Sequence, residues 1–574
     1  MNTYRCPDRA KGQCGSQHRN GVVLIVVLVL VVMLSLAGFG FLSTMSAEYE
    51  AAKHQEEMLK GEQALASVEE MILSFAELSE RQRSRLGGWK NNPNLFRGRA
   101  IDEMTVDISE IPVTAQEDNE STENSESGAS GLQSPLTGEP SISESRDDRA
   151  SGDDRRWRFS VTTTSAAAEQ ESVLQGEVIR FGLQNESSRI NLHELLRWDQ
   201  LNPGAGRKAL MRLPGIDETI ADSIMDWMDS DEQPREFGTE SDFYLQLDHP
   251  YSCPNRPPSQ LEELLFVRGV LRSHFYGGST DPSRTDEALL SSLNQTDEAG
   301  NVRAPEMDTA SSSQGWHQFL TCWSSERNSD RRGKPRTFLN MTDLSRLQTE
   351  LSQLLSPEVA RFAIFARQYG LSYPTGQNTS SGNLADVTPD LSVPGNHPIA
   401  APASLIGAIV TVPSPSGSMV FASPIRPEDT DFAGQLFSLM DRTTTITQDQ
   451  ITGRINILEA HQLVLGSIPG MTDELLTQII AQRDGSDAER QDTTWLLTEG
   501  LVDAAEFRRL SDYITAGGDV FRGDITVFRA TGGPVLRRNA VFSGVTTPAI
   551  RLNWSLPNHS LPSLPVSLLM PRIP

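Results

Sequence analysis

Cysteine is scarce in this chain: four in 574 residues. Cys6 and Cys14 lie near the N-terminus, leaving Cys253 and Cys322 for everything beyond residue 42. There is no CxxC and no zinc-finger spacing, which excludes a dense disulfide framework. A Cys253–Cys322 disulfide and two ordinary free thiols both fit the sequence. Catalytic signatures are missing as well. No GxSxG, HExxH or GxxxxGK[ST] occurs, and the nine histidines are scattered, so an enzyme is not expected. Positive charge is in short supply, with 50 Lys and Arg against 76 Asp and Glu, net −26. Such a surface repels nucleic acid and anionic lipid headgroups, and suits metal cations or basic protein partners. Long apolar runs are absent too, with one exception.

The exception is Gly21–Leu42, GVVLIVVLVLVVMLSLAGFGFL, which contains no charge. As a helix, Val22–Leu42 rises ~32 Å, about one hydrocarbon core. It follows a leader with Arg5, Arg9, Lys11 and Arg19 against Asp8, and precedes Glu48, Glu50, Glu56 and Glu57. The remainder therefore carries −29, the whole chain's −26 less the leader's +3. The positive-inside bias predicts a cytoplasmic N-terminus and an exported remainder. A cleaved secretory signal is the rival, but its apolar region is shorter and ends in an A-x-A-like site, which Ser43-Thr44-Met45-Ser46-Ala47 fits weakly. Met58, Leu65, Val68, Ile72 and Phe75 continue at helical spacing, and no proline intervenes before Pro93, so one helix is expected over about Val22–Glu80.

After this helix, residues 81–113 are read as the start of a head, with a strand over Ile101–Pro112. Residues 114–154 are acidic, Ser/Gly-rich and nearly free of aromatics, a disordered insertion. Residues 155–188 carry head strands at Trp157–Thr164 and Glu177–Leu183. Residues 189–275 and 446–518 share a layout. Arg189-Ile190-Asn191-Leu192 matches Arg454-Ile455-Asn456-Ile457, and Leu213-Pro214-Gly215-Ile216 matches Ile468-Pro469-Gly470-Met471. Thr337-Phe338-Leu339-Asn340 opens a weaker third copy inside residues 276–445, otherwise poorly assigned, with linkers at 273–315 and 374–400. Residues 519–574 predict two to four strands up to Trp554, then a tail too rich in proline for regular structure.

Each full copy reads as helix, Pro-Gly turn, helix, resembling helix-hairpin-helix motifs. Nucleic-acid-binding versions use a second turn glycine so that backbone amides approach a phosphate. Here Asp217 and Thr472 stand in that place, which favours a protein-packing hairpin. Downstream of the first hairpin, Asp229, Asp231, Glu240 and Asp242 offer oxygens for Ca²⁺, though not at EF-hand spacing; a solvated acidic loop is the plainer reading.

The basic leader ending in glycine before a long helix resembles type IV pilins and pseudopilins. That resemblance implies cleavage by a prepilin peptidase after Gly21, leaving Val22 as the first mature residue. Pilins carry Glu at the fifth mature position; here it is Val26. The stretch Trp227-x-Asp229-x-Asp231, Gly238-x-Glu240-x-Asp242-x-Tyr244, Leu261-Glu262-Glu263-Leu264 and Val267-Arg268-Gly269-Val270 looks like the type II secretion system minor pseudopilin protein K, over about 80 residues. Asn185-Glu186-Ser187-Ser188-Arg189 departs mildly from the usual run before Ile-Asn.

This second resemblance implies an α+β fold. A long pilin-type helix would carry a small α/β head, into which a large, mostly helical domain with helix-hairpin-helix-like repeats is inserted. It also implies the pseudopilin class without the fifth-position Glu, a place at the pseudopilus tip with other minor pseudopilins, and Ca²⁺ near Asp229, Asp231, Glu240 and Asp242. The implied surroundings are the bacterial inner membrane with a periplasmic head, the secretion platform and the prepilin peptidase as partners. Nucleic acid is disfavoured. The rival readings are a membrane-anchored helix-hairpin-helix DNA receptor for uptake, and a structural envelope protein of another pilus-like machine.

Overall fold

Nothing between Arg19 and Glu77 stops a helix, and these residues form one α-helix. The computed structural model describes residues 19–103, 156–164, 179–277, 315–374, 382–414, 417–484, 490, 492–556 and 566–570. The leader up to residue 18, the acidic stretch 114–154 and most of the 273–315 linker lie outside them. Two compact units divide after Gln63. The first is helical from Arg19, and Val23–Leu42 is exposed along its whole length. Met58, expected on the buried stripe, is 37% exposed in this unit.

In the second unit the expected stripe is buried: Leu65, Val68, Ile72 and Phe75 are at most 1% exposed. Each such side chain contributes about 1.5–3 kcal/mol relative to exposure. The helix stops at Glu77, short of the expected Glu80, because Ser79 caps the next helix, Glu80–Arg85. Its hydroxyl accepts from Gln82 N, and the Gln82 side chain accepts from Ser79 N at 2.9 Å.

The stripe packs in one core with an antiparallel sheet of seven strands among the described residues. The path runs Arg99–Ala100, Trp157–Thr164, Val520–Arg529, Leu536–Ser543, Ile550–Ser555, with Ile179–Phe181 and Gln184–Asn185 pairing off it. Phe159 and Val161 stand opposite Val527 and Ile525, and all four are fully buried. The expected first strand at Ile101–Pro112 is instead a short pair at Arg99–Ala100 followed by a 3₁₀ turn at Ile101–Glu103; the residues beyond are not described. The tail is less irregular than expected: Val566–Leu569, proline-free between Pro565 and Pro571, makes a helical turn and buries Leu569 in this core.

Asn185 pairs with Phe521, so the domain inserted between these positions leaves and returns on neighbouring strands. The insertion has its own core, from Ile190 to Ile514. Three two-residue parallel ladders organise it: Ile190–Asn191 with Leu320–Thr321, Thr337–Phe338 with Thr443–Thr444, and Ile455–Asn456 with Ile514–Thr515. Each first strand precedes a helical hairpin, so the third copy is a full unit, built on Leu344–Leu354 and Pro357–Tyr369 with Ser356 as cap. Asn191 and Asn456 accept from the amides of His193 and Leu458. Asn340 instead exchanges two bonds with Ile399, which packs part of the expected 374–400 linker into the core.

Candidate metal centre

Helix Glu218–Met228 begins where Asp217 accepts from Ile220 N at 2.8 Å and ends at Asp229, leaving Asp222 and Asp226 fully buried along it. Buried carboxylates need partners. Asp222 takes both the Nε and the Nη2 of Arg207, and accepts from Phe237 N at 3.1 Å. Asp226 accepts from Arg235 N at 3.1 Å and from Arg235 Nη1 at 2.7 Å; the same Nη1 reaches Asp229 Oδ2, and Nη2 lies 3.8 Å from Asp199. These bonds fold the loop 229–240 back over the helix. Gly238 permits the approach, since a Cβ there would sit 1.8 Å from Asp226 Oδ2.

The fold-back delivers Glu240. It is 5% exposed, and neither carboxylate oxygen has a hydrogen-bond partner; Asp229 Oδ1 is likewise buried and unpartnered. One oxygen each of Asp226, Asp229 and Glu240 lie within 4.8 Å of one another. Burial first, then Asp226 and Asp229, push Glu240 up to about 7. Burial also raises Asp226 and Asp229, against the pull of Arg235. Leaving buried acceptors unmade costs about 1–3 kcal/mol each, so the cluster suits a hard cation with oxygen ligands. Aromatic packing follows Asp226 in the chain. Trp227 meets Tyr244 edge-on at 5.2 Å, and the Tyr244 hydroxyl oxygen accepts from Arg268 N.

Of the four residues expected from the sequence, Asp229 and Glu240 come together. Asp231 and Asp242 are exposed: Asp231 turns back onto Gln233 N, and neither is in the cluster. The missed member is Asp226, one helical turn before Asp229 on the same face. Cys253 and Cys322 are buried and form no disulfide; burial and then Glu240 push the Cys253 thiol up to about 12. Gly21 and Val22 fall within the first helical turns, and Val26 is exposed on that helix.

Both hairpin turns use left-handed glycines, Gly215 at φ 75° and Gly470 at φ 88°. Asp217 and Thr472 each accept from the amide three residues on, occupying donors that a phosphate would need. Trp316 donates to Pro214 O at 2.8 Å, and Arg212 of the first hairpin pairs with Asp473 of the second at 3.1 Å.

Residues 188–275 match the family described as type II secretion system (T2SS), protein K, so the resemblance read from the sequence holds over the segment that contains this cluster. No curated protein matches the chain. Among solved structures, the crystal structure of the GspK-GspI-GspJ complex from the enterotoxigenic Escherichia coli type 2 secretion system aligns over 71% of this chain and 81% of that one, at 10% identity and a TM-score of 0.29.

Proposed function

With residues 188–275 matching protein K, we propose that this chain is a minor pseudopilin that works by assembly at the tip of a type II secretion pseudopilus. That match is the observation that carries the reading. The long helix, apolar and exposed over Val23–Leu42, supports a single-pass anchor. The basic leader orients it with a cytoplasmic N-terminus and a periplasmic head in the bacterial inner membrane. A prepilin peptidase then cuts between Gly21 and Val22. The helix leaves the bilayer for a bundle with other minor pseudopilins on the secretion platform. Val26, in place of the docking glutamate, removes the charge by which a subunit would seat under another, and the bulky head blocks a further subunit from adding.

Co-purification tests the assembly. The full chain in detergent is expected to carry the other minor pseudopilins of the same cell with it; recovery of the chain alone overturns the reading. Gly21→Ala is expected to leave the leader attached and slow the protein in electrophoresis, and identical mobility sinks the processing step.

We further propose that Asp226, Asp229 and Glu240 hold Ca²⁺, supported by the orphaned oxygens of Glu240 and Asp229. The ion would supply positive charge to the buried carboxylates of Asp226, Asp229 and Glu240. A ligand that binds only the native state raises its stability, by about 2.7 kcal/mol at a concentration 100 times Kd. Melting with Ca²⁺ and with chelator is expected to differ accordingly, and coincident curves refute the site. The capped turns and the Arg212–Asp473 pair favour hairpins that pack on protein over a DNA receptor. Salt-sensitive micromolar binding of duplex DNA would reverse that preference.

A further inference from the structure

The same cluster already contains a cation. Arg235 Nη1 bridges Asp226 and Asp229, two of the three carboxylates that would face the ion. Two positive centres on the same pair of carboxylates weaken each other's hold, because a guanidinium within a few ångströms of a divalent ion repels it. The geometry points to an exit. Arg235 Nη2 lies 3.8 Å from Asp199 Oδ2, and Asp199 is not one of the three clustered carboxylates. Asp199 is pre-positioned, since its other oxygen accepts from Gly206 N at 3.1 Å.

We propose that Arg235 is a resident counter-cation that holds the loop 229–240 closed without metal and moves toward Asp199 when a divalent ion binds, so that the Arg235–Asp199 pair sets the affinity of the site. The inference rests on the reading of Asp226, Asp229 and Glu240 as a Ca²⁺ site. Arg235 is a positioning residue: it bridges Asp226 and Asp229 in one arrangement and pairs with Asp199 in the other. Glu240, with both oxygens unpartnered, is the one clustered carboxylate that Arg235 does not engage. Two backbone bonds hold the loop closed independently of the Arg235 guanidinium: Asp226 accepts from Arg235 N and Asp222 from Phe237 N.

The test uses the full chain in detergent, stripped with chelator and titrated with Ca²⁺ by calorimetry. Arg235→Gln removes the competitor, so Ca²⁺ is expected to bind about tenfold or more tighter. Its melting in chelator should fall, and Ca²⁺ should restore it. Asp199→Asn keeps an acceptor for Gly206 N but weakens the alternative seat, so wild-type affinity is expected to fall several-fold. In the Arg235→Gln background the same change should cost little, because there is no guanidinium left to seat; that loss of coupling separates relocation from plain charge removal. Equal Ca²⁺ affinity in wild type and Arg235→Gln, or an undiminished effect of Asp199→Asn in the double variant, overturns the proposal. Absence of Ca²⁺ uptake by every variant instead refutes the metal site itself and takes this inference with it. Should Arg235→Gln fail to fold, hydrogen exchange on the wild type decides: the amides of Arg235 and Phe237 must stay protected in chelator, and rapid exchange there overturns the proposal.

Discussion

Arg522 donates from Nε to the fully buried carboxylate of Glu186 at 2.6 Å, across 336 positions of chain. This pair joins a central strand of the head sheet to the first residues of the insertion. Thr321 donates to the same carboxylate, and the Arg189 guanidinium stands 3.5 Å away. Burial, and then the like charge of Arg522, pull Arg189 down to about 10. Glu186→Gln would leave two buried guanidiniums without their counter-charge, at a cost of about 3–5 kcal/mol. The double change Glu186→Met with Arg522→Met should recover only part of that, because Arg189 still loses its counter-charge. Urea denaturation of the two variants checks it, and a single variant within 1 kcal/mol of wild type would count against the account.

Arg327 caps the long helix. Its guanidinium donates to Ala76 O at 2.6 Å, Glu77 O at 3.0 Å and Leu78 O at 3.3 Å, while its Nε donates to Gly544 O at 2.6 Å. The last carbonyls of a helix carry partial negative charge and lack intrahelical donors, so a planar fork of five donors is well matched to them. Arg327→Met is expected to cost about 2–4 kcal/mol, from several charge-assisted bonds lost at once. Arg327→Lys should fall between, keeping the charge and losing the fork. Thermal melting ranks the three proteins.

Gly544 touches the same helix end. A Cβ there would lie 2.1 Å from Ala76 O, a backbone atom that cannot rotate away. Gly544→Ala must therefore separate strand and helix, with an expected loss of about 1–3 kcal/mol. Gly500→Ala is no matching control, because Gly500 has φ 76° and strains on its own account.

His317 and His461 give the protein an acid limit. Burial holds both rings near a pKa of about 4 against the ordinary 6.5. In His317 the ring Nδ1 bonds the Phe275 carbonyl at 2.9 Å. The folded state keeps these rings neutral where the unfolded chain protonates them, so unfolding takes up protons between the two values. The share of stability these two rings carry is complete above pH 6.5 and falls as pH drops toward 4. His317→Asn, which retains a donor for Phe275 O, should flatten that decline in melting temperature measured from pH 7 to 4.5; an unchanged slope would show that other groups carry it.

How much of this was legible follows from the distance over which each feature is written. The stripe Leu65–Phe75 and the strand Trp157–Thr164 are local periodicities, and both stand where the sequence puts them. The two full hairpins were visible because Pro-Gly turns repeat as text. The third unit was legible only at its opening, Thr337–Asn340, because its turn is Leu355-Ser356-Pro357, chemically a cap and a first-turn proline instead of Pro-Gly. In the acidic loop, Asp229 and Glu240 were found by motif. Asp226 was overlooked because it sits inside a helix between Met225 and Trp227, where i to i+3 spacing was the available signal. Glu186–Arg522 leaves no local trace at all.

The antiparallel pairing of Thr162 with Asp524 sets an order of events in time. At about 5–20 residues per second, a chain that has just completed strand Trp157–Thr164 waits roughly 20–70 s for its partner to be synthesised. A helix forms on its own backbone within microseconds, whereas this strand must close a loop of several hundred residues first. The apolar stem is therefore finished while the sheet it serves is still half unwritten. Leu65, Val68, Ile72 and Phe75 spend that interval without the surface that later covers them.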